Sequence, residues 1–357
     1  MGRIAALATR NTEFYAGRVF DAVAIHAMRP SLQPMAWPWL LAHSLAQQHR
    51  LTLVTADQVT DARGVLLVAY DWTPDAERLL AGGARPAVLV SFEPPVIAWS
   101  LYERLPRLSQ QFDHVFLFEG ARERVARGFH ALRFPVSCPP PRLASVPWAQ
   151  RRFVAMINSN KALPRATDPR RWPDRPREVS LKRLVAGWRY RPIARDHYSA
   201  RLSAIDAFPD LDLYGEGWTQ RHPAVSPAQH QHALRAYRGS VADKLAVLAE
   251  YRFSLAIENT WFPGYVSEKL FDCLFAGTVP VYDGAPDVAR YVPADAFVDA
   301  RQFRDYAAMR QFLLAMTEDR WRQYLAAGQA FLASPSFEPF CADTFARDLV
   351  DALNAVS

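Results

Sequence analysis

Short apolar runs alternate with helix-like patterns through the first 140 residues of the chain. Runs of five to seven mainly apolar residues indicate buried strands, and apolar residues that recur every three or four positions indicate amphipathic helices. The predicted strands are residues 51–56, 64–70, 87–92 and 114–118, and the predicted helices are residues 37–48, 74–81 and 121–129. Alternation of this kind predicts a parallel sheet covered by helices.

A second series of the same kind begins at residue 152. Its predicted strands are residues 152–157, 211–214, 253–257 and 278–282, and its predicted helices are residues 196–207, 241–250, 303–316, 318–332 and 344–355. Residues 137–148 are rich in proline, show no periodicity and are typical of a linker. The sequence therefore predicts two α/β domains, residues 1–149 and 150–357, because one core rarely serves more than about 300 residues.

Composition narrows the class of protein. Half of the residues are apolar and 22% are charged, which excludes a disordered chain. No apolar run reaches the ~18–20 residues that span a bilayer, and the apolar start of the chain is too short for a signal peptide. We therefore expect a cytoplasmic protein. Cys138, Cys273 and Cys341 are odd in number and widely spaced, so we expect all three to be reduced and structural.

Positive charge is concentrated in one segment. The net charge is +6, and residues 161–195 contain eleven Lys or Arg against three acidic residues. Such a segment indicates an anionic partner, such as a nucleotide diphosphate, a lipid-linked phosphate or an acidic glycan. Trp172, Trp188 and Tyr190 interleave with the arginines, a pattern that can stack nucleic-acid bases. The segment is also rich in proline and typical of a solvated loop, so we do not expect nucleic acid as the partner.

Two common phosphate-binding motifs are absent from the sequence. It contains no G-x-G-x-x-G and no G-x-x-x-x-G-K-[ST]. The sequence therefore lacks the strongest signal for an NAD-dependent dehydrogenase and for a P-loop NTPase.

Residues 251–282 carry the most informative pattern. They indicate a buried strand, a loop, a helix that begins near Ser267, a helix stop at Gly277 and a second buried strand. Lys269 falls in the first helical turn, where its charge opposes the helix dipole. With an anion bound there, the backbone N–H groups, the dipole and the ammonium all favour a phosphate. The alternative is that Lys269 projects into water and that Glu268 only favours the helix start.

The same segment resembles the α-1,3/4-fucosyltransferases, glycosyltransferase family ten. The hallmark of that family is a Tyr-Lys-Phe strand followed by Glu-Asn-Ser/Thr, Tyr-Val-Thr-Glu-Lys-Leu and Ala-Gly-x-Val-Pro-Val. This chain reads Tyr251-Arg252-Phe253, Glu258-Asn259-Thr260, Tyr265-Val266-Ser267-Glu268-Lys269-Leu270 and Ala276-Gly277-Thr278-Val279-Pro280-Val281. Ser267 replaces the usual Thr but keeps the capping hydroxyl. The resemblance implies an α/β fold of the GT-B architecture, with two Rossmann-like domains that face a central cleft.

The resemblance also implies a set of donor-binding residues. Lys269 would bind the diphosphate of the donor, and Glu268 would bind hydroxyl groups of the fucose or the ribose. Tyr265 and Asn259 would line the nucleotide pocket. No metal or other cofactor is expected, because cationic side chains and a helix N-terminus would neutralise the leaving diphosphate.

A further arginine of the family contacts the phosphates and precedes a helix. Residues 192–198 are similar to that element, which makes Arg195 the candidate, and the alternative is a solvated arginine among many basic residues. Lys244 and Arg238 are weaker candidates. Asp210-Leu211-Asp212 imitates the D-x-D metal motif, but alternation along the strand indicates that Asp212 is simply its water-facing residue.

Inverting transfer needs a base that takes the proton of the acceptor hydroxyl. Ligands bind at the carboxyl ends of the strands in α/β sheets, and three acids follow predicted strands of the N-terminal domain: Asp71, Glu93 and Glu119. Glu93 is favoured because Pro94-Pro95 ends the strand directly after it and because it aligns with the catalytic glutamate of the family. Glu119 and Asp71 remain alternatives.

The resemblance implies an inverting glycosyltransferase that moves L-fucose from GDP-β-L-fucose to a glycan or lipid-linked glycan acceptor. By resemblance, the expected product is an α-1,3 linkage in a surface polysaccharide or lipopolysaccharide. The basic segment 161–195 is a hypothetical peripheral contact with the inner face of the membrane. The alternatives are a transferase for a different GDP-sugar and a non-catalytic protein that binds polyanions or nucleotide sugars.

Overall fold

The computed structural model describes residues 2–28, 32–137, 146–160, 194–222 and 225–356, and for residues 195 and 196 it describes the backbone. The chain divides into two compact units. The first unit is Met1–Cys138 with Glu338–Ser357, and the second unit is Pro139–Phe337. The predicted boundary at residue 149 differs from this division mainly because the last residues of the chain join the first unit. Most of the predicted linker and of the basic segment 161–195 lies outside the described residues.

The first unit is built on one parallel sheet. Its strands within the described residues are β1 (Arg3–Thr9), β2 (Leu51–Thr55), β3 (Leu66–Tyr70), β4 (Arg85–Val90), β5 (His114–Leu117) and β6 (Phe129–Ala131). They follow the order β2-β1-β3-β4-β5-β6, and each adjacent pair is parallel. Every residue of β3 is buried, as expected for a central strand of a parallel sheet that is covered on both faces.

The second unit contains a second parallel sheet. The strands of this unit are β7 (Arg152–Ile157), β8 (Arg195–Asp196), β9 (Leu211–Tyr214), β10 (Tyr251–Ile257), β11 (Thr260–Trp261), β12 (Val279–Asp283) and β13 (Val298–Asp299). In the described residues the parallel order is β13-β12-β10-β7-β9, and β8 pairs with β11 in a separate antiparallel ribbon. The chain passes from β7 to β9 on one side and to β10 on the other. The strand order therefore reverses between β7 and β10, where α/β sheets commonly bind ligands.

The described helices cover these sheets. They are α1 (Ala22–Ala27), α2 (Gln33–Gln48), α3 (Pro74–Ala81), α4 (Trp99–Leu108), α5 (Tyr198–Ala207), α6 (Pro227–Ala236), α7 (Lys244–Leu248), α8 (Glu268–Phe275), α9 (Tyr306–Ala315), α10 (Glu318–Leu332) and α11 (Ala342–Ala355). The final helix, α11, packs against α2 in the first unit. Phe345 of α11 contacts the rings of Trp39 and Phe92 there. None of the helices in the described ranges is long and apolar enough to cross a membrane.

The helix predicted over residues 121–129 is wrong. Residues 119–124 form a 3₁₀ turn, and residues 129–131 form strand β6. Gly128 lies between them with φ of 65°, and a Cβ atom there would lie 2.1 Å from the carbonyl oxygen of Asp113. This close approach of two backbone segments excludes a continuous helix. Strand β1 and helix α4 were not predicted from the sequence.

The expectation that Asp212 faces water is also wrong. Asp212 is buried on β9, where Arg238 Nε lies 2.6 Å from Oδ1 and Tyr251 OH donates to Oδ2 at 3.0 Å. The guanidinium of Arg152 contacts the same carboxylate. A buried carboxylate is tolerated when cations and hydrogen bonds compensate its charge. Arg238 is therefore part of this structural network.

The cysteines depart from the prediction of three reduced thiols. Cys273 is free and buried, whereas Cys341 is disulfide-bonded. Cys138 lies outside the described residues. The prediction is therefore wrong for Cys341.

Candidate functional site

Glu258 is a fully buried carboxylate that joins the end of β10 to the start of α8. Its Oε1 accepts a hydrogen bond from the backbone N–H of Ser267 at 2.7 Å, and its Oε2 accepts one from Ser267 Oγ at 2.7 Å. Lys269 Nζ lies 3.2 Å from the same Oε2. Charge-assisted bonds of this kind are stronger than neutral ones. They fix the N-terminus of α8 at the carboxyl edge of the second sheet.

Lys269 does not project into water. Its side chain is 14% exposed, and its Nζ also lies 3.3 Å from Ser267 Oγ and 3.6 Å from Glu268 Oε1. Burial by itself would lower the pKa of Lys269, but the carboxylates of Glu258 and Glu268 raise it above its ordinary value. The side chain therefore stays protonated beside the first turn of α8, where backbone N–H groups and the helix dipole also favour an anion.

Glu268 is the charged partner of Lys269 at the same helix end. Burial raises the pKa of Glu268, but the positive charges of Lys269 and Lys244 outweigh it and lower the pKa to about 2. Glu268 is therefore ionised at neutral pH and can accept hydrogen bonds from hydroxyl groups. The roles that the resemblance implies for Glu268 and Lys269 stay a proposal.

Gly284 leaves the space that Glu258 occupies. A Cβ atom at this position would lie 2.4 Å from Glu258 Cγ and 2.5 Å from Tyr282 OH. We expect Gly284→Ala to destabilise the fold by about 3 kcal/mol, because a filled site must shift to admit a methyl group. Urea unfolding measures this change. Gly64→Ala is the control for an added methyl group without a clash: its Cβ meets no atom within 4 Å, so any loss there comes from the strain of φ +74°, which Gly284 does not have. A loss of less than about 1 kcal/mol in Gly284→Ala would contradict the clash with Glu258 and Tyr282.

Arg201 lies directly behind this site and was missed by the sequence analysis. It is 3% exposed, and its Nη2 donates to the backbone oxygen of Glu258 at 3.2 Å and to Asn259 Oδ1 at 2.5 Å. The amide oxygen of Asn259 is therefore turned towards Arg201. A signal was present in the sequence, because Arg201 falls on the face of α5 that carries the buried Leu202 and Ile205.

The backbone places Arg195 beside the same loop. Arg195 lies in β8 and pairs with Trp261 of β11, and the N–H of His197 donates to the carbonyl oxygen of Asn259 at 3.2 Å. The element predicted to carry Arg195 thus lies next to Asn259. Tyr265 is 2% exposed, and its carbonyl oxygen accepts a bond from Tyr282 OH at 3.3 Å, so it is packed within the unit.

Asn158 is a second residue that the sequence analysis missed. It directly follows β7 and is 5% exposed, and its Nδ2 donates to the carbonyl oxygen of Ile257 at 3.3 Å. Its Oδ1 is buried and has no hydrogen-bond partner among the described residues. Buried acceptors are normally paired, so a ligand donor at the reversal point between β7 and β10 would satisfy it.

The carboxyl group of Asp272 in α8 makes the stability of the folded chain depend on pH. Burial raises its pKa from 3.8 to about 6, although Lys244 Nζ, 3.7 Å from Oδ2, opposes the shift. The folded state therefore binds this proton more tightly than the unfolded state, and the charge on Asp272 costs stability as the pH rises from about 4 to above 6.

We expect Asp272→Asn to gain about 3 kcal/mol of stability over the wild-type chain as the pH rises from about 4 to about 7. The asparagine carries no charge in either state, so that cost disappears. Urea unfolding of both proteins at both pH values measures the difference. An advantage that does not change with pH would contradict this interpretation.

In the first unit, the structure brings two of the three candidate bases together. Arg10 Nε lies 3.1 Å from Asp71 Oδ2, and Arg10 Nη2 lies 3.4 Å from Glu93 Oε1. Glu119 lies instead in the 3₁₀ turn after β5, where Arg122 Nε is 2.6 Å from its Oε1. Arg10, which follows the missed strand β1, was not predicted. Glu93 and Asp71 therefore share one site at the carboxyl edge of the first sheet.

Comparison with solved structures defines the class of this fold. The chain is similar to an α1,3-fucosyltransferase solved with GDP, with a TM-score of 0.52 and 15% identity over 99% of this chain and 91% of that one. It is also similar to the Anabaena protein Alr3699/HepE solved with UDP and glucose, with a TM-score of 0.56 and 11% identity over 99% and 100%. The chain thus has the α/β fold of the GT-B glycosyltransferases.

Comparison of the sequence gives a narrower match within this class of fold. Residues 176–338 match the model described as glycosyltransferase family 10 (fucosyltransferase), C-terminal part. This match, over slightly less than half of the chain, confirms the resemblance to that family drawn from residues 251–282.

Curated relatives are similar to the chain over part of their length. The chain is 39% identical to the α-(1,3)-fucosyltransferase FucT of Helicobacter pylori over 84 residues, which are 23% of this chain and 18% of that protein. It is 38% identical to α-(1,3)-fucosyltransferase 7 of Bos taurus over 181 residues, 49% of this chain and 48% of that protein. The chain thus spans less than half of the length of either relative.

Proposed function

We propose that this protein transfers L-fucose from GDP-β-L-fucose to a hydroxyl group of a glycan, with inversion at the anomeric carbon. The observation that carries the proposal is the buried Glu258–Lys269 pair, which fixes a cation at the N-terminus of α8 within the family-matched region. Diphosphates bind at such helix ends because the N–H groups, the dipole and the cation act together.

In the proposed donor complex, Lys269 binds the diphosphate and Glu268 accepts hydrogen bonds from hydroxyl groups of fucose or ribose. Arg195 contacts the phosphates, and Asn259 and Tyr265 help to form the nucleotide pocket. Arg201, which holds the amide oxygen of Asn259, orients that side chain. In this proposal, the charged residues of the second unit bind the donor.

In the proposed reaction, the carboxylate of Glu93 takes the proton of the acceptor hydroxyl. The acceptor oxygen forms a bond to the anomeric carbon as the bond from that carbon to the β-phosphate oxygen breaks. Attack from the face opposite the leaving group converts the β-linked donor into an α-linked product. GDP leaves with the bonding electron pair, and Lys269 and the start of α8 stabilise its charge.

We propose that this step needs no metal ion. The leaving diphosphate meets cationic side chains and a helix N-terminus, which can supply the charge that a divalent ion would otherwise provide. The carboxylate of Asp212, in the D-x-D-like sequence, is already compensated by Arg152 and Arg238.

The acceptor that we propose is a lipid-linked or other glycan of a surface polysaccharide or lipopolysaccharide. An α-1,3 linkage is favoured by the names of the curated relatives. The basic residues 161–195 would contact a lipid pyrophosphate or an anionic membrane at its inner, cytoplasmic face. Unchanged association with anionic vesicles after reversal of these charges would contradict the membrane contact.

Thermal denaturation with nucleotide sugars tests donor binding without knowledge of the acceptor. A ligand at 100 times its dissociation constant adds about 2.7 kcal/mol to the stability of the unit that it binds, which raises the melting temperature by several degrees. We expect the largest shift with GDP-fucose and smaller shifts with GDP-mannose and UDP-galactose. Equal shifts with GDP and every GDP-sugar would contradict the preference for fucose, and no shift with any of them would contradict the donor site.

A further inference from the structure

We propose that Arg10 and Asp71 are positioning residues for Glu93, with Asp71 holding Arg10 and Arg10 holding the carboxylate of Glu93. This inference rests on the proposed function, in which Glu93 is the base. Neither Arg10 nor a role for Asp71 beside Glu93 followed from the sequence.

The strand register brings these residues together. In the parallel sheet, Thr9 of β1 is paired with Tyr70 of β3, and Tyr70 is paired with Val90 of β4. The next residue on each strand is therefore Arg10, Asp71 and Ser91, which form one row across three adjacent strand ends. Glu93 follows this row by two residues.

The backbone of Asp71 is held in an unusual conformation. Its φ is +64°, in the left-handed region that residues other than glycine seldom adopt, at a cost of about 1 kcal/mol or more. Several bonds hold it there: the N–H of Asp71 donates to the carbonyl oxygen of Val90 at 2.9 Å, and Ser91 Oγ donates to its Oδ1. Strain that is fixed in this way at a strand end is typical of functional sites.

One guanidinium connects the two carboxylates. Arg10 presents Nε to Asp71 at 3.1 Å and Nη2 to Glu93 at 3.4 Å. The planar fork of arginine suits this double contact, and arginine keeps its charge at every relevant pH. The side chain of Glu93 is 19% exposed, so its carboxylate is held by Arg10 and still reaches solvent.

The backbone of Glu93 is held separately. Its N–H donates to Ser91 Oγ at 3.1 Å, and Tyr102 OH of α4 donates to its carbonyl oxygen at 3.2 Å. Ser91 thus contacts both Asp71 and Glu93. Main chain and carboxylate of Glu93 are fixed by different partners, so a change at Arg10 can alter the carboxylate without removing the loop.

The charges around Glu93 predict the direction in which its pKa changes when Arg10 or Asp71 is replaced. Among the described residues, the titratable groups that face it are Arg10 directly after β1, Tyr70 at the end of β3, Asp71 directly after β3, and Tyr102 of α4. Burial raises the pKa of Tyr70, so this phenol stays neutral, and burial also raises the pKa of Asp71 against the opposing effects of Arg10 and Ser91. Arg10 therefore favours the ionised form of Glu93, whereas an ionised Asp71 opposes it.

The test is the pKa of Glu93 in three variants, measured by carbon-13 NMR of labelled glutamate carboxyl groups, with Glu93→Gln identifying the signal. We expect Arg10→Met to raise the pKa of Glu93 by about one unit or more, because the nearby cation is lost. We expect Asp71→Asn to lower it, because the amide keeps the hydrogen bond to Arg10 without the negative charge. Asn also tolerates the left-handed backbone.

Arg122→Met is the matched control, because it removes the same kind of partner from Glu119. It should leave the pKa of Glu93 unchanged. Arg10→Lys keeps the cation, so the pKa of Glu93 should stay near the wild-type value. This variant serves as the test if Arg10→Met does not fold, and a clear shift of the pKa of Glu93 in it would then count against the role of the charge. An unchanged pKa of Glu93 in Arg10→Met would overturn the proposal. So would an unchanged pKa of Glu93 in Asp71→Asn if Arg122→Met shifted that pKa.

Two outcomes separate this inference from the proposed function. If the variants shift the pKa of Glu93 in opposite directions while the wild-type chain transfers no fucose, the proposed function fails and the positioning pair stands. If Glu93→Gln abolishes transfer while neither variant moves the pKa of Glu93 or the acid limb of the pH profile of kcat/KM, the pair fails and the base assignment stands.

Discussion

Lys269→Met is expected to lose donor binding and to destabilise the second unit at the same time. Glu258 is fully buried and would be left without its cation, which costs about 3–5 kcal/mol for a buried pair broken on one side. The same substitution removes the ammonium that we assign to the diphosphate. Titration calorimetry with GDP-fucose and urea unfolding measure the two effects separately.

A double variant distinguishes the ligand contact from the structural one. Glu258→Gln together with Lys269→Met removes both charges, and the glutamine oxygen can still accept from Ser267. We expect this variant to regain most of the lost stability and to bind GDP-fucose about 100-fold more weakly than the wild type, as for the loss of a charged hydrogen bond to phosphate.

Arg310→Met is the control for net charge in the same unit. It removes one positive charge and one ion pair, that with Asp210. We expect donor affinity to stay at the wild-type value. Equal affinity of the wild-type chain and the double variant for GDP-fucose would contradict the role of Lys269.

Glu93→Gln is expected to lower the rate of fucosyl transfer by about 10²–10⁴-fold, the usual contribution of a general base. Glutamine keeps the size of the side chain and can still accept a bond from Arg10, but it cannot take a proton. The rate is measured as GDP release with a panel of glycan acceptors. Stabilisation by GDP-fucose should be unchanged, because the proposed donor residues lie in the second unit.

The control for this prediction is Glu119→Gln. Glu119 follows the neighbouring strand β5 and is paired with Arg122, so it resembles Glu93 in position and charge. We expect its rate to equal that of the wild-type chain. Loss of transfer in Glu119→Gln with full activity in Glu93→Gln would assign the base to the alternative residue.

The donor segment could be predicted because its signals are local. A buried strand, a Ser267 cap and the Gly277 stop lie within one stretch of sequence, and the structure gives α8 and its flanking strands as expected. Strands and helices with clear periodicity were also found, including α3 and α10 with both ends correct. These elements depend on interactions between residues that are close along the chain.

The remaining site residues depend on contacts between distant parts of the chain. The adjacency of β1, β3 and β4 in the sheet brings Arg10, Asp71 and Glu93 together. Local periodicity along the sequence does not indicate this strand order. Asp212 was misjudged for the same reason, since Arg152 and Tyr251 reach it from other strands. Register and sheet order decide such contacts, and a single sequence carries little direct signal for either.

Mass spectrometry of acceptor glycans incubated with the chain and GDP-fucose tests whether the protein transfers fucose. We expect a product that is heavier by one fucosyl residue with the wild-type chain, and at least about 100-fold less of it in the same time with Glu93→Gln or, at a GDP-fucose concentration well below the dissociation constant of the variant, with the Glu258→Gln, Lys269→Met double variant. Transfer of the sugar from GDP-mannose or UDP-glucose in preference to fucose, or a fucosylated product formed equally well by both variants, would contradict it.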